Sequence, residues 1–188
     1  MVTFLFFIAI IVIVALLFVG KYNSLVKLKN NRDNAFADID VQLKQRHDLI
    51  PQLVDTVKGY IKHESGVLTK VTEARAAAMN ANSISDKIAS ENMLTSALGG
   101  LKIAVEAYPD LKANTNFLRL QDEISDVENK LASVRRYFNS STKEYNNAVQ
   151  TFPSNIVAGM FNFKTLEMFE INEAQREQIE KAPKASFD

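Results

Sequence analysis

Two histidines are the only imidazoles in 188 residues, and cysteine and tryptophan are absent. His47 stands in Arg46-His47-Asp48 and His63 in His63-Glu64. A helical metal motif needs a second ligand one turn away, as in H-E-x-x-H, and neither histidine has a histidine partner at that spacing. Without cysteine, disulfides, thiolate metal sites and thiol catalysis are excluded. Asp38 and Asp40 lie two apart, so a helix puts them on different faces. Glu106 and Asp110 flank Tyr108-Pro109 and could approach each other across a turn, but acids near helix ends ordinarily serve caps and dipoles. Gly99-Gly100 is no phosphate loop, since no strand precedes it and no Gly-Lys-Ser/Thr follows. No G-x-S-x-G nucleophile motif is present. Arg135-Arg136 is too small a basic patch for nucleic acid, and the chain balances 22 basic against 22 acidic residues. The expectation is a protein without catalytic residues, cofactor or metal.

The elements that would position any site begin with residues 2–19, an uncharged run whose one polar residue is Thr3. Eighteen helical residues reach about 27 Å, close to the hydrocarbon thickness of a bilayer. A cleaved signal peptide would show a basic start and a small-residue cleavage site, and neither is here. A core helix of this length would show a polar face. The run therefore reads as a transmembrane anchor, ended by Gly20 and Lys21, with Tyr22 at the interface. Lys21, Lys27, Lys29 and Arg32 follow it before the first acid, Asp33. The positive-inside rule then puts the remaining domain in the cytoplasm.

Beyond the anchor, Phe36, Leu43, Ile50 and Val57 recur every seven residues, with Ile39, Leu49 and Leu53 beside them: one buried helical stripe. Nothing but Gly20 separates it from the anchor, so the transmembrane helix is expected to continue into the domain. Pro51 disfavours helix at Ile50 and lacks a donor. The expected result is a kink in a long arm running to about Met79, in preference to a reversal. Asn80-Ala-Asn-Ser reads as a loop, with Ser83 or Ser85 capping a third helix that ends near Ala107. Small residues at Gly99-Gly100 suggest a close helix contact. Residues 109–115 read as a turn, with Asn114 or Asn116 capping a fourth helix. Phe117, Leu120, Ile124, Val127, Leu131, Val134 and Phe138 alternate spacings of three and four, and Tyr145, Ala148 and Phe152 resume the rhythm after Ser141. Such a seam suits a bundle or an oligomeric coiled coil; several other helices need a partner, which favours the bundle. Residues 154–163 are apolar but too short to span. Ile156, Val157, Met160, Phe161 and Phe163 in that stretch are expected to cap one end of the bundle, with partner docking or membrane-surface contact as the other reading.

Several stretches resemble the LemA family, which takes in MamQ-like members. They are YNSLVKLKN from Tyr22, DIDVQLKQRHDLIPQLVDTVKGYIKHE from Asp38, VTEAR from Val71 and EAYPDLKANTNFLRLQDEI from Glu106. ENKLASVRRYFN from Glu128, YNNAVQTFPSNIVA from Tyr145 and APKASF from Ala182 extend the likeness over nearly the whole chain. Members usually show Trp where Phe36 stands and Val where Ala185 stands. The resemblance implies an N-terminal membrane helix and an elongated helical bundle, and it supplies no catalytic residue to carry over. It singles out His47, Asp48 and Pro51 in one motif, and Glu106, Tyr108, Pro109 and Asp110 in the other. A kink and a reversal at the two prolines would account for both.

The resulting expectation is an all-α protein: anchor 1–21, an elongated antiparallel four-helix-type bundle over 22–169 with a kink near Pro51, and a polar tail over 170–188. The function expected is a membrane-anchored scaffold or adaptor, acting on a protein partner or by self-association. Membrane remodelling is the alternative, and a metal protein or enzyme using His47, His63, Asp48 or Asp110 comes behind it.

Overall fold

The computed structural model describes residues 1–61 and 65–169. Its first helix, α1 (Val2–Lys58), is continuous for 57 residues and runs unbroken through Gly20 and Pro51. At 1.5 Å per residue it is about 86 Å long. Residues 2–17 are all exposed, and the stretch is long and apolar enough to cross a membrane. From Leu25 onward one stripe of the same helix is buried: Ala35, Ile39, Leu43, Leu49, Ile50, Leu53 and Val57. The apolar run and the bundle stripe therefore share one helix, as the uninterrupted helical pattern implied.

The chain does not reverse at Pro51. It ends α1 at Lys58, where Gly59 and Tyr60 turn and the amides of Tyr60 and Ile61 close on the Val57 carbonyl. The arm expected to reach Met79 is thus two elements, because α2 (Ser65–Asn80) is a separate helix that folds back along α1. Its Arg75 reaches the carbonyl of His47. Ser83 caps α3 (Ile84–Val105), its hydroxyl accepting from the Asp86 amide at 2.9 Å. The residues after Pro109, expected to be only a turn, form a single helical turn, α4 (Pro109–Lys112). Asn114 caps α5 (Thr115–Gln150), accepting from the Phe117 amide at 3.0 Å.

Cross-helix pairs fix the directions. Asp40 meets Lys87 and Arg46 meets Glu91, so α3 runs parallel to α1. Asn114 meets Tyr60 at one end of α5, and Phe138 meets Phe36 further along, so α5 is antiparallel to α1. The result is an up-down-up-down bundle whose core lies chiefly between α1 and α5. The expected seam of α5 is buried within the chain, at Phe117, Leu120, Ile124, Val127, Leu131, Phe138 and Tyr145. Ser141 and Thr142 are buried there too; Thr142 keeps its hydroxyl satisfied on the Phe138 carbonyl. Phe152 departs from the seam. The helix stops at Gln150, and Phe152 is left 80% exposed. A last short helix, α6 (Ser154–Met160), packs back on α1 and α5, as a cap on the end nearest the anchor.

Gly99 and Gly100 do not serve a close helix contact, since a Cβ at either would meet nothing within 4 Å. Gly99 lines a groove between α3 and α5 and Gly100 an open groove between α2 and α3.

Candidate functional site: a buried ion network beside Pro51

The residues that could do chemistry collect where α1 carries Arg46, His47 and Pro51. In the stripe of α1, Ile39, Arg46 and Leu53 form a series at intervals of seven, so Arg46 occupies a core position. On α3, Glu91 takes the core place between Ile88 and Leu94. Both charges are therefore buried by helix geometry: Arg46 is 2% exposed and Glu91 1%. Burying either alone would be strongly unfavourable, and each needs the other.

The network is closely connected. Arg46 Nη1 donates to Glu91 Oε2 at 2.9 Å. Arg46 Nη2 donates to Thr95 Oγ1 at 2.9 Å and to Glu128 Oε1 at 2.8 Å. His47 Nε2 lies 2.6 Å from Glu91 Oε1. An ionised carboxylate only accepts, so the proton of that bond sits on Nε2. Burial pushes the Glu91 carboxyl up, but the hydrogen bond and charge of His47, then Arg46, outweigh it and hold the group below the usual glutamate value. One ion cluster thus joins α1, α3 and α5 at a single level.

The fourth helix joins at the same level through Pro51. In an α-helix the amide of residue 51 would donate to the carbonyl of residue 47, and proline has no such donor. Arg75 of α2 supplies it: its Nε donates to the His47 carbonyl at 2.7 Å. A proline tolerated inside α1 and an arginine on α2 are thus two halves of one arrangement.

The other expected site residues do not gather. Asp48 and Pro51 are exposed on α1. Glu106 pairs with Lys112, which holds its carboxyl below the usual range, and does not turn to Asp110. Asp110 lies in the first turn of α4, and Tyr108 is half-buried against the core. His63 and the tail from residue 170 lie outside the described residues. Among the described residues no three histidine, aspartate or glutamate side chains are grouped to hold a metal ion.

Sequence reasoning missed Glu91, Glu128, Thr95 and Arg75 as partners. A signal for one of these contacts was present: Arg46 and Glu91 are both charges standing on apolar stripes. It also missed two asparagines. After α6, residues 164–169 return extended along α5. Asn146 pairs by its side-chain amide with both the amide and the carbonyl of Leu166, each at 2.8 Å. Asn139 does the same for Phe169, at 2.9 and 2.7 Å. Seven helical residues advance about 10.5 Å and three extended ones about 10 Å, so the two clamps match in spacing. Phe169 is buried, edge-on to Phe138 and under the Arg135 guanidinium.

The LemA family model matches residues 35–187, which takes in the whole network. The chain belongs to the LemA family. Its relatives include the LemA protein of Metamycoplasma hominis, 29% identical over 94% of this chain and 81% of that one. The magnetosome protein MamQ of Magnetospirillum gryphiswaldense is 22% identical, over 79% of this chain and 64% of its own length. MamQ 2 of Paramagnetospirillum magneticum is 19% identical, over 80% and 65%. This chain therefore spans just under two thirds of the magnetosome relatives. In LemA-family terms, HDLIP and VTEAR are the two stretches of sequence that meet at the His47 carbonyl.

Proposed function

We propose that this LemA-family chain is a membrane-anchored, non-enzymatic scaffold or adaptor. Its rod offers helical surfaces to a protein partner or to further copies of itself. The observation that carries this reading is the single α1 helix, whose span and bundle stripe are continuous, so that membrane attachment sets the direction of the rod. The reading is also supported by the character of the polar cluster. Arg46 and Glu91 are sealed from solvent and paired with each other, which suits a register lock between helices, while the Arg46 Nε has no partner among the described residues. The basic flank of Lys21, Lys27, Lys29 and Arg32 favours a cytoplasmic rod.

Chemical crosslinking in native membranes tests the scaffold reading. Discrete products with a partner or with itself are the expected outcome, and monomer alone at every crosslinker length would count against it. For the orientation, protease added outside intact cells should spare the rod; its rapid digestion would reverse the assignment.

A further inference from the structure

Residues 2–32 contain no acidic side chain, and neither do residues 145–166. The fold brings these stretches together at one end of the rod. Val157 and Ala158 of α6 are buried with Leu25, and Phe18, Ala148, Val149 and Phe163 pack around them. Tyr22 lies 4.7 Å from the Phe161 ring and 5.9 Å from Phe163. Phe18 belongs to the apolar run itself and Leu25 lies seven residues after it, so α6 packs on α1 just beyond the last turn of the run. While its inner face is buried, its outer face is open and, apart from Asn155, apolar. Phe152 precedes that face, Ile156 and Met160 lie on it and Phe161 follows, with exposures of 80, 46, 66 and 55%. Lys21 and Lys164 are exposed, each next in sequence to an aromatic of this cluster, Tyr22 and Phe163. Met79, Ile103 and Leu118 are exposed too, but on three different helices, the ordinary condition of a protein surface.

We propose that this end of the bundle is a foot seated in the headgroup layer of the same bilayer that α1 crosses. Phe152, Ile156, Met160 and Phe161 enter the acyl boundary, and Lys21 and Lys164 meet anionic headgroups. The proposal rests on residues 2–19 being a membrane span. The nearest apolar phase to the patch is then lipid, within a helical turn, and no carboxylate in either stretch opposes an anionic surface. A helix alone could tilt in the bilayer. A foot beside it gives the rod a second contact and fixes how it stands.

The cysteine-free sequence allows a direct test with single spin labels on the full chain. Met160→Cys and Ile156→Cys report the foot, Ile103→Cys the exposed rod, and Val12→Cys the span. The chains are placed in vesicles of phosphatidylcholine with and without phosphatidylglycerol. The ratio of collisions with oxygen to collisions with a water-soluble nickel chelate is expected to be several-fold higher at 160 and 156 than at 103, and to rise with phosphatidylglycerol. A ratio at 160 equal to that at 103, while position 12 reads as lipid-buried, overturns the foot and leaves the span intact. A water-like reading at 12 overturns the span itself. Protection at 160 from both reagents means protein covers the patch, which also overturns the proposal. A ratio indifferent to phosphatidylglycerol overturns the part given to the lysines.

Discussion

Glu91→Ala is expected to destabilise the bundle by about 3–5 kcal/mol, the usual cost of removing one partner from a buried ion pair. Arg46 would remain in the core with Thr95 and the half-exposed Glu128 as its acceptors. His47 would lose the Glu91 carboxylate that its Nε2 meets. The measurement is loss of helical ellipticity on heating or in denaturant, made on the full chain in detergent. A change under about 1 kcal/mol, the size of an exposed pair, would mean that the network is not the lock described here.

Acid gives a second view of the same residue. The Glu91 carboxyl is held below its unfolded value, so the unfolded chain takes up its proton at higher pH than the native one. The stability from this group is therefore fully present above the unfolded glutamate value and is lost as pH falls through the lower, folded one. Glu91→Gln removes that titration and should flatten the acid limb of the stability profile. An acid limb identical to that of the parent chain would place its origin in other carboxylates.

Arg75→Ala is expected to cost about 1–3 kcal/mol, because it strips the Nε donor from the His47 carbonyl. The stronger expectation concerns Pro51. Pro51→Ala returns a backbone donor to the same carbonyl, so Arg75→Ala should cost less in that background. The coupling between the two changes should fall in the range of about 0.5–3 kcal/mol typical of contacting groups. Four thermal melts close the cycle, and other contacts of Arg75 cancel between its two arms. An Arg75→Ala cost that is the same with proline and with alanine at position 51 would break the link drawn between the proline and the arginine.

Much of the architecture could be read from periodicity alone. An unbroken apolar run followed by a seven-residue stripe, with nothing but Gly20 between them, suits one continuous helix, and α1 is that helix. The seam of α5 and the caps at Ser83 and Asn114 are local patterns, set by residues within a turn or so of each other. The end of α1 at Lys58 was less legible. Pro51 carried the stronger local signal, yet its lost hydrogen bond is replaced from another helix. The actual break at Gly59 and Tyr60 lacks any proline.

What the sequence by itself determined is the apolar run, the helical character and the bundle class, since each follows from spacing along the chain; the family rests instead on the likeness of whole motifs. Tertiary structure alone decided which charges meet. Arg46 and Glu91 are 45 residues apart, and Arg75 and His47 are 28 apart. Pairings at that distance depend on the relative rotation and register of whole helices, which no local pattern encodes. The same holds for the apolar stretch after Pro153. Its composition marked a cap, but only the packing of Val157 and Ala158 beside Leu25 and Phe18 placed it at the end of the rod nearest the apolar run.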